Sequence, residues 1–134
     1  MIERKCSCKM GMHRAPLEKC IIESGAINQL PELLKNYNDV YMVCDENTYR
    51  VLGEKAEQLL RSANKFSHKH ILKGEVLPDA HSIGDVLIHL KDPKADSDIF
   101  EYSPQPDFIL AVGSGVVNDI CRVVSYRLGL PYGI

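Results

Sequence analysis

Apolar residues fall along this chain in two rhythms. Unbroken apolar runs occur at Val40–Cys44 and Phe108–Val112. Runs of this length, bounded by polar residues, are the pattern of strands buried on both faces, as in a parallel sheet. Between and after them the spacing changes to three and four. Val116, Ile120, Val124 and Leu128 recur every fourth residue, and Val117 and Cys121 widen the stripe, which predicts an amphipathic helix. Gly129 supplies its stop signal, with Pro131 just beyond.

The same reading places further elements. Lys19–Glu23 is a short strand candidate ended by Ser24-Gly25, and Ala26, Ile27, Leu30, Leu33 and Leu34 form a compact helical stripe. Pro31 is tolerated there only within the first turns. Asp45 is a good N-cap for a helix carrying Tyr49, Leu52, Ala56, Leu59 and Leu60, with Arg61 suiting its C-terminal end. Phe66–Leu72 alternates, which predicts a strand near a sheet edge with His68 and His70 on one face. Solvated edge histidines are the favoured reading there over a metal pair. Residues 79–91 read as a helix through Ile83, Val86, Leu87 and Leu90, with His81 and His89 incidental, and residues 92–106 read as a surface loop. Strands alternating with helices imply an α/β, Rossmann-like fold, a mainly parallel sheet with helices on both faces. The division is an irregular leader over 1–18 and a nucleotide-binding α/β domain over 19–134.

Composition narrows the function classes. The 134 residues carry a net charge of −2 with 45% hydrophobic and 25% charged residues, ordinary for one globular domain with a core. Nothing suggests a nucleic-acid footprint. No apolar run reaches the roughly 20 residues that span a bilayer. The N-terminus lacks the apolar stretch of a secretory signal. Five cysteines without an export signal point to free thiols in a reducing cytoplasm. Cys6, Cys8 and His13 form a Cys-x-Cys-x4-His cluster suited to a soft metal such as zinc. A structural zinc site usually takes four ligands, and the nearest fourth is Cys20, so the idle leader is the favoured reading.

Two strand ends carry the sharper chemistry. Gly113-Ser-Gly115 joins a strand to a helix, where unpaired N–H groups and the helix dipole favour an anion and glycine permits its close approach. In parallel sheets a carboxylate at a neighbouring strand end, here Asp45, can accept ribose hydroxyls while the glycine turn holds a pyrophosphate. The full G-x-G-x-x-G fingerprint is absent, since Asn118 stands at the third position. Asp119 is open to two readings, a ligand contact or ordinary placement near a helix N-terminus.

Ala111-Val-Gly-Ser-Gly-Val-Val-Asn-Asp-Ile120, with Arg122, Tyr126 and Gly129-Leu-Pro-Tyr132, resembles the nucleotide-binding segment of glycerol-1-phosphate dehydrogenases, closest to the bacterial type encoded beside arabinose genes. These belong with the 3-dehydroquinate synthases and iron-containing alcohol dehydrogenases. Val43–Tyr49, Cys20–Ile27, Leu30–Leu34 and the early Cys6, Cys8 and His13 extend the resemblance over nearly the whole chain. It implies the N-terminal domain of a dehydroquinate synthase-like fold and an enzyme of phospholipid metabolism that interconverts dihydroxyacetone phosphate and sn-glycerol 1-phosphate with NAD or NADP. By position, Asp45 would contact the adenosine ribose, which leans towards NAD, and Gly113, Ser114, Gly115, Val116, Val117, Asn118 and Asp119 would form the pyrophosphate turn. Val116 departs from the threonine common in relatives.

The resemblance also implies a divalent metal (nickel, zinc or iron) held by an aspartate and two histidines of a C-terminal helical domain. This chain offers no counterpart, so no catalytic residue is assigned and a chain inactive by itself, truncated before its last strand or strands, is expected. The alternatives are a free-standing NAD(P)- or phosphate-binding or regulatory module, and an inert remnant. Apolar surface at Phe108–Val112 exposed by a missing strand would favour self-association.

Overall fold

The computed structural model describes residues 2–134. The chain begins with an antiparallel hairpin, β1 (Ile2–Lys5) and β2 (Met12–Ala15). Residues 16–23, which include the strand expected at 19–23, form neither helix nor strand, and Ile22 is 92% exposed. Two adjacent isoleucines have no sheet neighbour there to bury them. The leader expected to be irregular is instead the ordered hairpin. A 3-10 turn over Ala26–Gln29 then leads into α1 (Leu30–Leu33), with Pro31 in its first turn where its missing N–H costs nothing.

The body is a four-stranded parallel sheet in the order β4-β3-β5-β6, formed by β3 (Val40–Asp45), β4 (Phe66–Leu72), β5 (Phe108–Val112) and β6 (Tyr132–Gly133). The two unbroken apolar runs are its two central strands, as a sheet covered on both faces requires. Phe108–Val112 is therefore buried throughout rather than exposed, because β6 covers the far side of β5. The entry to this pair is fixed by Asp107, whose carboxylate accepts from the backbone N–H groups of Asn38 (2.8 Å) and Asp39 (3.0 Å).

Between β3 and β4 run α2 (Glu46–Thr48), a single wide π-turn over Tyr49–Gly53, and α3 (Glu54–Ser62). The π-turn adds a residue to the helical path and displaces Leu52 from the expected stripe, leaving it 40% exposed. α4 (Ala80–Lys91) joins β4 to β5, with Asp79 as N-cap accepting from Ser82 N–H at 2.9 Å. α5 (Gly115–Leu128) joins β5 to β6 and ends at Gly129, whose φ of 66° is the left-handed conformation that glycine adopts without strain.

The helices cover both faces. Leu30, Leu34, Ala56 and Leu60 of α1 and α3 pack with Val40, Met42 and Leu110. On the other face Val86 and Leu90 of α4 and Val117, Ile120 and Val124 of α5 pack with Tyr41, Val43 and Ile109. The helix leaving β3 and the helix leaving β5 thus go to opposite faces, which opens a crevice between the carboxyl ends of these neighbouring strands. This reversal of winding is where ligands sit in open α/β sheets.

Candidate nucleotide-binding site

The crevice is real space, a groove of about 230 Å³ lined by Asp45, Glu46, Asn47, Gly74, Val76, Ser114 and Val116. It brings together the two strand ends singled out in the sequence.

At the β3 end, Asp45 is extended and acts as N-cap of α2. Its Oδ1 accepts from Thr48 N–H at 2.8 Å, while Asp45 N–H donates to Thr48 Oγ1 at 3.0 Å. This reciprocal box fixes the carboxylate, half-buried, at the groove wall. Oδ1 takes the cap bond and Oδ2 remains an acceptor for a ligand hydroxyl. Beside it Glu46 Oε2 accepts from Gly74 N–H at 3.3 Å, tying in the loop after β4.

At the β5 end the cap is open. Ser114 is the N-cap of α5 but its side chain makes no capping bond, and the first helical turn carries no acidic residue. The amides of Gly115, Val116 and Val117 keep the donor capacity of an uncapped helix start. The two glycines have different jobs. A Cβ on Gly113 would lie 2.7 Å from both Cβ and Cγ2 of Val117, so this glycine lets the helix sit tight on its strand. A Cβ on Gly115 would meet nothing within 4 Å, so what this position keeps clear is the approach from outside.

Of the residues expected to hold a nucleotide, Asp45, Ser114 and Val116 line the groove and Gly113 and Gly115 shape it. Val117 is 1% exposed and turns its side chain into the core, leaving only its amide for a ligand. Asn118 and Asp119 lie beyond the groove wall, one turn into the helix. Asp119 is partly exposed and pairs with Arg122 at 3.1 Å, so it is neither in the first turn nor free of a partner.

The groove fits a dinucleotide's acceptor and donor pattern: amides for phosphate, a carboxylate for ribose, and a glycine whose Cβ would intrude. It does not fit the family's metal. Its lining offers two carboxylates and no imidazole or thiol, so no chemical step is assigned through a metal here.

Sequence reasoning missed the histidine cluster. His70, Asp85 and His89 bring their ligand atoms within 4.8 Å of one another. His70 and His89 are buried and stacked at 3.9 Å, contrary to the expected solvated edge and the incidental His89. His70 Nε2 lies 2.7 Å from Asp85 Oδ2, and His89 Nδ1 donates to the Asp85 carbonyl at 2.9 Å. Burial pulls the His70 imidazole below its usual pKa of 6.5 against the opposing pull of Asp85. His68 is likewise lowered by burial and bonds the His89 carbonyl at 3.0 Å. The missed signal was the i,i+4 spacing of Asp85 and His89, which puts both on one helix face. None of these residues lines the groove.

With this geometry established, comparison with known proteins is decisive on family. The profile of the iron-containing alcohol dehydrogenase family matches residues 21–133. The chain belongs to this family. Similar proteins include the glycerol-1-phosphate dehydrogenase [NAD(P)+] of Halalkalibacterium halodurans, 31% identical over 98% of this chain and 31% of the relative. The enzyme of that name from Bacillus subtilis is 30% identical over 87% of the chain and 28% of the relative. The 3-dehydroquinate synthase of Staphylococcus carnosus is 33% identical over 78% and 28%. The chain thus spans about a third of the length of the curated relatives it matches. Among solved structures, an iron-containing alcohol dehydrogenase from Thermococcus thioreducens superposes with a TM-score of 0.56 at 21% identity, covering 77% of this chain and 24% of that one, a likeness of fold. That dehydrogenase and this chain therefore share the Rossmann-like sheet on which this groove is built. Among the described residues no helix is long and apolar enough to cross a membrane.

Proposed function

We propose that this chain is the nucleotide-binding part of an sn-glycerol-1-phosphate dehydrogenase-like oxidoreductase. The reaction is hydride transfer from NAD(P)H to the carbonyl carbon of dihydroxyacetone phosphate, with a proton taken up by its oxygen, giving sn-glycerol 1-phosphate and NAD(P)+. The observation that supports it most is the groove at the winding reversal, with the Asp45 carboxylate on one wall and the uncapped start of α5 on the other. The pyrophosphate lies over the amides of Gly115, Val116 and Val117, helped by the uncommitted Ser114 hydroxyl. Asp45 accepts from the adenosine ribose and disfavours a 2′-phosphate, which leans the site to NAD. Gly113 holds the turn closed, and Asn118 and Asp119 contact parts of the ligand that extend past the first turn.

The groove is smaller than the roughly 300–1,000 Å³ of a complete small-molecule site. It supplies only part of a cleft, so binding by this chain is weak, and the substrate and the divalent metal are held by groups outside the groove. The relatives named as glycerol-1-phosphate dehydrogenases support the substrate class.

Titration of the purified chain with NADH, followed by fluorescence, tests the reading against Gly115→Val, Asp45→Ala and Asp119→Ala variants. Saturable binding that drops at least about tenfold in Gly115→Val supports it, since a side chain there blocks phosphate approach. No binding, or binding indifferent to both Gly115→Val and Asp45→Ala, sinks it. Turnover of dihydroxyacetone phosphate by this chain alone would overturn the assignment of chemistry to groups elsewhere.

A further inference from the structure

The hairpin that precedes the sheet has no apolar reason to hold its shape. Every residue of β1 and β2 is exposed, and a lone two-stranded hairpin is marginal in water. Its turn end nevertheless gathers three metal-ligating side chains. Cys6, Cys8 and His13 place their ligand atoms within 4.8 Å of one another, with Cys8 Sγ 2.9 Å from His13 Nε2.

The backbone sets this up without a ligand. Cys6 N–H donates to the Gly11 carbonyl at 2.8 Å, and Gly11 N–H to the Cys8 carbonyl at 3.0 Å. Gly11 itself sits at φ 69°, which a side chain would resist. The resulting tight loop aims Cys8 N–H at Cys6 Sγ at 3.3 Å. The thiolate is the form of cysteine that binds metal. A side-chain hydrogen bond with Cys6, then one with the Met10 backbone, draws the Cys8 thiol below its ordinary value of 9.0.

We propose that the β1–β2 hairpin binds one thiophilic divalent cation of the zinc class through Cys6 Sγ, Cys8 Sγ and His13 Nε2, with its fourth position open to water or an exogenous ligand. Zn–S bonds near 2.3 Å and Zn–N near 2.0 Å put tetrahedral ligand atoms roughly 3.5–3.8 Å apart. The present spacing needs only side-chain adjustment to reach that. Binding releases the two thiol protons, and the two thiolates neutralise the dication. Arg4 and Lys5 in the concavity beside Cys6 and His13 then repel it little and favour an anionic fourth ligand. The cation would close a coreless hairpin in the way a metal holds small domains together. Among the described residues the other cluster of this size, His70, Asp85 and His89, has its polar atoms engaged in stacking and hydrogen bonds inside the fold.

The test is titration of the reduced full chain with Co2+ in a buffer free of thiols. The expected result is one equivalent bound, with a near-ultraviolet sulfur-to-cobalt charge-transfer band and visible ligand-field absorption, both removed by Zn2+. Cys6→Ser and Cys8→Ser abolish the charge-transfer band or halve it. Because loss of an outer-shell partner alone costs 10–100-fold, His13→Ala is expected to weaken Zn2+ binding by at least about a hundredfold. Cys20→Ser leaves the spectrum unchanged. These positions are exposed, so the melt of the sheet domain should not move, and equal melting temperatures confirm that folding is intact. A cobalt spectrum without sulfur charge transfer, a signal that survives the Cys6→Ser/Cys8→Ser double variant, or dependence on Cys20 would overturn the site.

Discussion

The two strand-to-helix turns that face each other across the groove solve the same local problem in opposite ways. At Asp45 the helix start is closed by its own side chains, because Asp45 and Thr48 exchange bonds in a capping box. At Ser114 the helix start carries no side-chain cap and no acidic first turn, and glycines flank the N-cap. A self-capped start offers a ligand one fixed carboxylate. An uncapped one offers a set of donors and a partial positive charge. A fold has no need for the second arrangement, since serine is a good cap and could have bonded inward. The contrast therefore separates residues that hold the scaffold from residues that wait for a ligand.

That division can be broken by substitution. The largest effect on stability is expected from Gly113→Ala, because its Cβ would lie 2.7 Å from the buried Val117. Overpacking of this kind typically costs about 1–3 kcal/mol. A clear drop in melting temperature, with loss of NADH binding, is expected by calorimetry and titration, and an unchanged melt would show that the turn is looser than drawn. Asp45→Ala should cost about 1 kcal/mol through the lost cap. Asp45→Asn keeps the cap and should leave the melt in place while narrowing any preference for NADH over NADPH. If Asp45→Asn binds NADH and NADPH as the unaltered chain does, the carboxylate's charge has no binding role.

Gly115→Val sharpens the contrast most, since beyond its chain neighbours and its own helix backbone nothing lies within 4 Å of where its Cβ would be. Stability should stay within about 0.5 kcal/mol, as for surface changes generally, while NADH affinity falls. Equal losses in both assays would return Gly115 to the scaffold class. The smallest effect on the groove is expected from acid. The His70 pKa is lowered in the fold, chiefly by burial, so its stabilising contribution is full above 6.5 and is lost as pH falls from 6.5 through the lower folded value. The melting temperature should decline in that window, and less so in His70→Gln. NADH affinity of the molecules still folded should stay flat, because neither turn contains a histidine.

Much of this was legible in the residues. The apolar runs of β3 and β5, the four-residue period of α5 and the stop at Gly129 each reflect one local preference with no competitor. Asp45 and the Gly113–Gly115 turn were legible for the same reason, as strand ends with unusual chemistry. What failed depended on partners distant in sequence. Lys19–Glu23 has the composition of a strand but no neighbour to pair with. His70 and His89 look like surface histidines until β4 and α4 stack one on the other. Asp119 stayed open between a ligand contact and ordinary placement near a helix start, because its ion pair with Arg122 in the second turn of α5 shows only in the fold. The hairpin was hidden because its pairing is held by backbone bonds and a glycine turn, with no apolar alternation to mark it.

The wide turn over Tyr49–Gly53 has a consequence for how chains of this kind can change length. It is closed by Gly53 under the Tyr49 ring, where a Cβ would fall 2.8 Å from Cδ2. Tyr49 is in turn held by its hydroxyl on Glu57 at 2.9 Å and by Lys69 from β4 at 3.1 Å. The turn acts as a phase adjuster between a fixed cap and a fixed packing face. It takes up one residue, carried outward at Val51, so that Ala56 and Leu60 still meet the sheet. Gains and losses of single residues are usually absorbed in loops. Here the extra residue lies inside a helix, between the Asp45 cap and the packing face of α3.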